Sequence, residues 1–440
     1  MRTNKSFKIL TFSALFLILA TSAFAQEVKQ ISLEEALTKA SLNNATIKLS
    51  DKNLTIVKAV YNQTSAAFLP HISVTNTASI TNNPLNNFGF KLLQETTIAS
   101  DFNPAVLNNP TEIKNFNTAI QLEQPLLNFD AFQQRKAVKA QVDASNSILK
   151  RTKEAIDFKV KTTYLQLQLA YKSASVLEQA LKTALANKTL SEHLFNQGLI
   201  QKSDVLNVDV NVAQVQNQMQ LAKSFIANTS NELSYLLNSN ESAILKPKDS
   251  LVLAPNDDLI TKNLSTNRPD FLAYQSQIKS QEHLLNATKY QFLPRANAFS
   301  NFEWNTANFL GMKAGNYFIG LQLRWDLFNG GKTIGKVAQE KATLDKATLN
   351  YKDYLALGKV ELSKTQRQLN DAKTNLNRAE IAVTQSQEVL RITTNRFKQG
   401  LEKTSDLLQA ETQFQTKQLD YYQAVFNYNH ALNYLIYLLK

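Results

Sequence analysis

The stretch FNQGLIQKSDVL, Phe195–Leu206, recurs as FKQGLEKTSDLL at Phe397–Leu408. In both copies a Gly-Leu pair separates two long runs that lack Pro and are poor in Gly. Gly past the end of such a run is how a helix is terminated, because the left-handed conformation costs Gly nothing. Each copy therefore reads as a turn between two helices. The sequence lines up outward from these tips in the same order. Leu126-Leu127-Asn128 recurs as Leu327-Phe328-Asn329 at an offset of 201, against 202 for the tips. Asn43…Phe68-Leu69-Pro70 recurs as Asn267…Phe292-Leu293-Pro294 at an offset of 224. The chain is thus an internal duplication, with a first repeat at 26–237 and a second at 259–440, joined by a linker at 238–258. The first repeat carries about 23 extra residues, which fall in the Asn/Pro-rich stretch 82–116 and read as a long loop.

Each repeat reads as a helix, two strands and two long helices. Ser32-Leu33-Glu34-Glu35 is a capping box that opens the first helix. The corresponding helix of the second repeat spans 269–293. The FLP motifs end helices, since the residue before Pro is driven out of the α region. Beyond them the apolar period becomes two. Ile72, Val74, Ala78 and Ile80 alternate with polar residues, as do Phe116, Ile120 and Leu122. Ala296, Ala298, Phe302 and Trp304 do the same, with Phe299 and Ser300 out of step, and so do Tyr317, Ile319, Leu321, Leu323 and Trp325. These give β-hairpins at about 71–125 and 295–326. One face is apolar and aromatic and the other polar, which suits a bilayer-spanning barrel. An ordinary half-buried antiparallel sheet shows the same alternation.

The stretches 131–197 and 332–398 are 67 residues each. As continuous helix each would extend about 100 Å. The returning helices, 203–237 and 404–440, keep 3-4 apolar spacing. One seam runs through Val205, Val208, Val212, Val215, Met219, Ala222 and Ile226, the other through Leu407, Ala410, Phe414, Tyr421, Ala424 and Tyr428. That is coiled-coil patterning.

The N-terminus supplies the compartment. Arg2, Lys5 and Lys8 precede an apolar run, Ile9–Ala20, and Ala23-Phe24-Ala25 forms a small-residue cleavage site. Residues 1–25 read as a signal peptide, and this export signal favours the membrane reading of the strands. No later run approaches the length of a membrane-spanning helix, so a membrane seat requires β-strands. Four strands cannot close a barrel. Eight, from two copies, leave an interior filled by side chains, whereas twelve, from three copies, leave a lumen.

Composition limits the alternatives. The chain has 440 residues, no Cys, 10 Gly and a formal net charge of +12. Without Cys there are no disulfides, thiolate metal sites or lipid-bearing N-terminal Cys. The four His lack metal-ligand spacing, so no metal and no cofactor are expected, and no triad or acid pair suggests an enzyme. Gly331-Lys332-Thr333 imitates the end of a P-loop, but Asp326 stands where its first Gly belongs. No basic-aromatic platform for nucleic acid is present.

Taken in order, Leu33-Glu34-Glu35-Ala36-Leu37 with Asn43-Asn44, the FLP motifs, Leu323-Arg324-Trp325-Asp326-Leu327-Phe328-Asn329-Gly330-Gly331 and the paired QGL…SD tips resemble the TolC-type outer-membrane efflux proteins. The likeness covers essentially the whole chain after the signal. It implies an α+β membrane protein: a homotrimer with a twelve-stranded β-barrel, four strands per protomer, continued by a periplasmic α-helical barrel of coiled-coil helices. It implies an equatorial belt near 238–258 and, at 82–116, the elongated external loop of a subgroup. The implied role is the outer-membrane exit duct of a tripartite efflux or secretion system in a Gram-negative bacterium, fed by an inner-membrane pump through a periplasmic adaptor. A trimeric surface adhesin or coiled-coil fibre and a passive porin are the competing readings.

The resemblance also assigns site residues. Asp204 and Asp406 match the family's periplasmic constriction acids, while a further family acid is replaced by Gln409. Gln197, Gly198, Leu199, Gln399, Gly400 and Leu401 match the adaptor-docking tips. The residues by themselves leave another role open. Ser203 and Ser405 look like helix caps, and an Asp in a first helical turn is stabilised by the helix dipole.

Overall fold

The computed structural model describes residues 28–239, 243–255 and 263–440. The signal peptide and parts of the 238–258 linker lie outside them. The chain divides into two compact units. Three helices carry it from one unit into the other: α2 (Ala45–Gln63), α5 (Phe129–Asn196) and α8 (Lys332–Lys398).

The first unit comprises the described residues of Met1–Leu49, Thr152–Ser265 and Gly358–Lys440. Helix α1 (Leu33–Asn43) starts where Ser32 Oγ accepts the Glu35 N–H at 3.2 Å. Buried Asn44 separates it from α2. Its side-chain oxygen accepts the N–H groups of Thr46 and Ile47, and its Nδ2 donates to the Leu236 carbonyl at 2.8 Å. One carboxamide thus caps a helix start and ties it to the far end of α6 (Lys202–Leu237). Helix α6 packs on α9 (Thr404–Leu439) along the expected seam. Val205, Val208, Val212 and Val215 are buried, as are Leu407 and Ala410. Each buried Val or Leu contributes about 1.5–3 kcal/mol relative to exposure. A hydrophobic core joins Leu169, Leu369, Val425, Tyr428 and Leu435.

The 238–258 segment is more than a linker. Strand β4 (Ile244–Pro247) pairs in parallel with β1 (Val28–Ile31). Helix side chains then hold this strand pair and the segment after it. Ser230 Oγ accepts the Leu245 N–H at 2.8 Å, Tyr171 donates to the Leu245 carbonyl, and Tyr164 donates to that of Ile31. Asn429 accepts the Ala254 N–H and donates to the Val252 carbonyl.

The second unit comprises Ser50–Arg151 and Thr266–Leu357. It contains an antiparallel sheet in the order β2-β3-β5-β6: β2 (His71–Thr81), β3 (Ile113–Leu127), β5 (Arg295–Thr306) and β6 (Ala314–Arg324). Ile72, Val74, Ile80, Tyr317, Ile319, Leu321 and Leu323 stand exposed on one face. Register places Asn115, Asn117, Gln121, Asn301, Glu303 and Asn305 on the other. Phe299, out of step in the sequence, does not interrupt β5. It lies on the polar face against Phe318, centroids 5.5 Å apart, and Gly320 leaves room for its ring.

The stretch 82–116 is not the loop its composition suggested. It forms α3 (Pro84–Leu93), a 3-10 turn at Ala99–Phe102 and the short α4 (Pro104–Asn108) before β3 begins. Asn83 accepts the N–H groups of Leu85 and Asn86, and Asn103 accepts that of Ala105. Each Asn-Pro pair is thus an N-cap followed by Pro at the first helical position.

A charged cluster anchors α7 (Pro269–Tyr290). Arg268 is 3% exposed and holds Asp270 with two hydrogen bonds of 2.7 Å. Its guanidinium lies 4.0 Å from the Phe271 ring centroid. Tyr354 donates to Asp270 at 2.8 Å, and Arg151 stands 3.6 Å away. Burial alone would raise the Asp270 pKa, but the hydrogen bonds from Arg268 and Tyr354 and the nearby Arg151 charge hold it below the ordinary carboxylate range. Removing one partner of a buried pair strands the other charge, at a cost of about 3–5 kcal/mol. Arg268→Met should therefore sharply lower the urea midpoint of the detergent-solubilised protein at neutral pH. A carboxylate with a depressed folded pKa stabilises above its unfolded pKa, and that stability is lost as pH falls through the folded value. The gap between wild type and variant should accordingly narrow in acid.

Candidate helix-tip site

Helices α5 and α8 each end in the same backbone arrangement. Gly198 has φ +73° and Gly400 φ +71°. The Leu199 N–H donates to the Leu194 carbonyl at 2.9 Å and the Gly198 N–H to that of Phe195. Leu401 donates to Arg396, and Gly400 to Phe397, in the same way. This six-to-one and five-to-two pairing satisfies the last carbonyls of the helix and needs a left-handed residue at its centre. It also turns the next side chain out: Leu199 is 67% exposed and Leu401 60%. Gln197 and Gln399 precede the glycines and are exposed as well.

The returning helices start earlier than the serines suggested. Gln201 and Lys403 hold the cap positions, so Ser203 and Ser405 lie inside the first turns and cap nothing. Ser203 Oγ donates to Gln201 Oε1 at 3.4 Å, and Ser405 Oγ to Asp406 Oδ1 at 3.1 Å. Capping falls to an acid instead. Asp204 Oδ2 accepts the Gln201 N–H at 3.0 Å, one half of a capping box. Asp406 is exposed and accepts from the Ser405 hydroxyl, and among the described residues no backbone N–H donates to its carboxylate. The two acids therefore differ: Asp204 is engaged in structure, whereas Asp406 is free of a backbone duty. Gln409 lines a groove of about 780 Å³ between α6 and α9, with Asn207, Asn211, Gln214, Ser405 and Thr412.

Two charged features near the tips went unread in the sequence. Lys188 of α5 bridges Asp209 of α6 at 2.7 Å. Glu411 of α9 is half-buried and accepts a hydrogen bond from Asn187 of α5. Burial pushes its pKa up, against the pull of that hydrogen bond. Both contacts cross between helices, so neither leaves a local pattern.

The profile of the outer membrane efflux protein family matches residues 36–239 and 260–439. The alkaline protease secretion protein AprF of Pseudomonas aeruginosa is 20% identical over 328 residues, covering 72% of this chain and 67% of AprF. Among solved structures, the Campylobacter jejuni CmeC outer membrane channel superposes with a TM-score of 0.80 at 16% identity, over 92% of this chain and 85% of CmeC. The Neisseria gonorrhoeae MtrE outer membrane channel, in its open state, gives 0.74 at 14%, over 92% and 88%. At such identities the structural likeness speaks for the fold.

The unequal hydrogen bonding of the two acids yields a ranking. Asp204→Ala removes both a capping acceptor and a charge at a helix N-terminus, at a cost of about 0.5–2 kcal/mol. Asp406→Ala should cost less. Thermal scans of the two variants side by side should give the lower apparent midpoint to Asp204→Ala.

Proposed function

The chain belongs to the outer membrane efflux protein family, and from that premise we propose a homotrimeric exit duct with two periplasmic helix tips per subunit for docking and two gate acids. The observation that carries the assembly is the apolar sheet face, exposed in the single chain, together with the open edges of β2 and β6. Lipid tolerates the exposed apolar face, but it supplies no partners for strand edges. Three copies supply twelve strands and join β2 of one subunit to β6 of the next. Among the described residues no helix is long and apolar enough to cross a membrane. The apolar strands are then the seat in the outer membrane of a Gram-negative bacterium, reached after cleavage of residues 1–25. The long helices extend into the periplasm as a helical barrel, with the β1–β4 strand pair at its equator.

At the far ends of those helices, exposed Leu199 and Leu401 offer apolar contacts to a periplasmic adaptor, which joins the duct to an inner-membrane pump. Asp204 and Asp406 set six carboxylates around the aperture, with Gln409 as a neutral neighbour. Opposed carboxylates repel one another and attract cations. The family's transport function sets aside the adhesin and porin readings.

Two measurements test this reading. Charged substitution of Leu199 and Leu401 should leave heat-resistant trimers intact on a gel while abolishing adaptor pulldown; pulldown that persists in the double variant would place docking elsewhere. In planar bilayers, the pair Asp204→Asn and Asp406→Asn should alter single-channel conductance and weaken cation preference. Unchanged selectivity would return both acids to a structural role.

A further inference from the structure

The helical insert between β2 and β3 lies on one particular face of the sheet. Helix α3 packs against β3 and β5. Gln94, at its C-terminal end, donates to the Lys114 carbonyl at 2.8 Å and to Asn115 Oδ1 at 2.9 Å. Asn115 Nδ2 in turn donates to Asn305 Oδ1 at 2.9 Å, and Asn117 donates to Asn305 and Glu303. By register all four of these strand residues stand on the polar face. Asn115 is 2% exposed and Asn305 1%, although carboxamides at the end of a polar sheet face would otherwise be wetted. The β5–β6 connection behaves differently: its Phe309 packs on Phe116, a residue of the apolar face.

The insert is itself well fixed. Asn87 Nδ2 donates to the Thr111 carbonyl. Lys91 pairs with Asp101 at 2.7 Å, both largely buried, and Phe88 meets Phe102 edge-on at 5.4 Å. It lies at the end of the strands away from α2 and α5, which adjoin the start of β2 and the end of β3.

We propose that Pro84–Asn108 is a second constriction of the duct, folded inward over the outer end of the barrel lumen, where it limits the size of what leaves. This rests on the barrel reading above, in which the polar sheet face lines the lumen. A connection folded on the lipid face or standing clear of the barrel could not narrow it. The carboxamide contacts from Gln94 through Asn115 to Asn305 fix the insert to the lumen wall. The occluding surface is the remainder of α3, including Leu85, which is 81% exposed.

The natural chain has no Cys, so a single introduced thiol reports without background. Leu85→Cys trimers are recorded in a planar bilayer before and after a bulky, membrane-impermeant thiol reagent is added from the outer side. The expected result is a stepwise loss of current that a reductant reverses. Labelling confirmed by mass with current unchanged would overturn the proposal, because the insert would then stand clear of the lumen. Since Thr81 pairs with Ile113, residues 82–112 can also be replaced by a two-residue Asn-Gly turn. This shortened chain, if it migrates as a heat-resistant trimer, should conduct more than wild type and admit larger neutral polymers. Equal conductance and equal polymer exclusion would likewise overturn the proposal. Wild-type trimers that carry no current at all would instead count against the duct reading itself.

Discussion

The backbone groups along the free edges of β2 and β6 impose the constraint on which the rest depends. Strand pairing accounts for the interior of the sheet, β3 against β5 included, and leaves β2 and β6 each with one edge that pairs with no other strand among the described residues. In water such edges are tolerable. Against hydrocarbon they are not, and the apolar face they border has no other suitable solvent. In the proposed trimer the alternating aromatic and β-branched residues meet that solvent, and copies of the chain close the edges.

Helix packing alone would leave the first unit under-specified, because its faces are rich in Asn and Gln and its seams are narrow. Polar side chains supply the register. Asn44 binds two elements with one carboxamide, Ser230 and Tyr171 hold β4, and Asn429 clamps the segment that follows. A hydrogen bond of this kind adds only about 0.5–1.5 kcal/mol net, but a buried one left unmade costs more. Such contacts therefore select one alignment of long, otherwise slippery helices. Arg268 and Asp270 do the same in the second unit with charge.

What could be read in advance followed from periodicity and from residues with a single local use. The four strands were visible as period-two runs, the tips as Gly at a left-handed position, and the first cap as Ser32 with Glu35. The β1–β4 pair was not visible, since four residues make no period and their partners lie far along the chain. The insert was misread because its Asn and Pro residues were counted as loop composition, whereas Asn83-Pro84 and Asn103-Pro104 are cap-and-start pairs. Ser203 yields its cap role to Asp204, whose side chain reaches back to the Gln201 N–H, a geometry that spacing alone does not distinguish, and at the second tip Lys403 holds the cap position without a side-chain bond. The Glu411 contact and the Arg268 cluster arise only from the tertiary fold.

The pairing of β3 with β5 also bears on how the protein is made. Asn117 meets Asn305 across 188 positions of chain, most of them in α5, α6 and the equatorial segment. Each hairpin can form from its own repeat, but the central seam must wait until the polypeptide has emerged as far as Thr306, the end of β5. Loop-closure entropy makes such distant pairings slow. During that interval the first hairpin has two adhesive edges and an apolar flank in an aqueous compartment. The nascent chain is then most vulnerable to mispairing with its neighbours, and a holding chaperone would have the most to do.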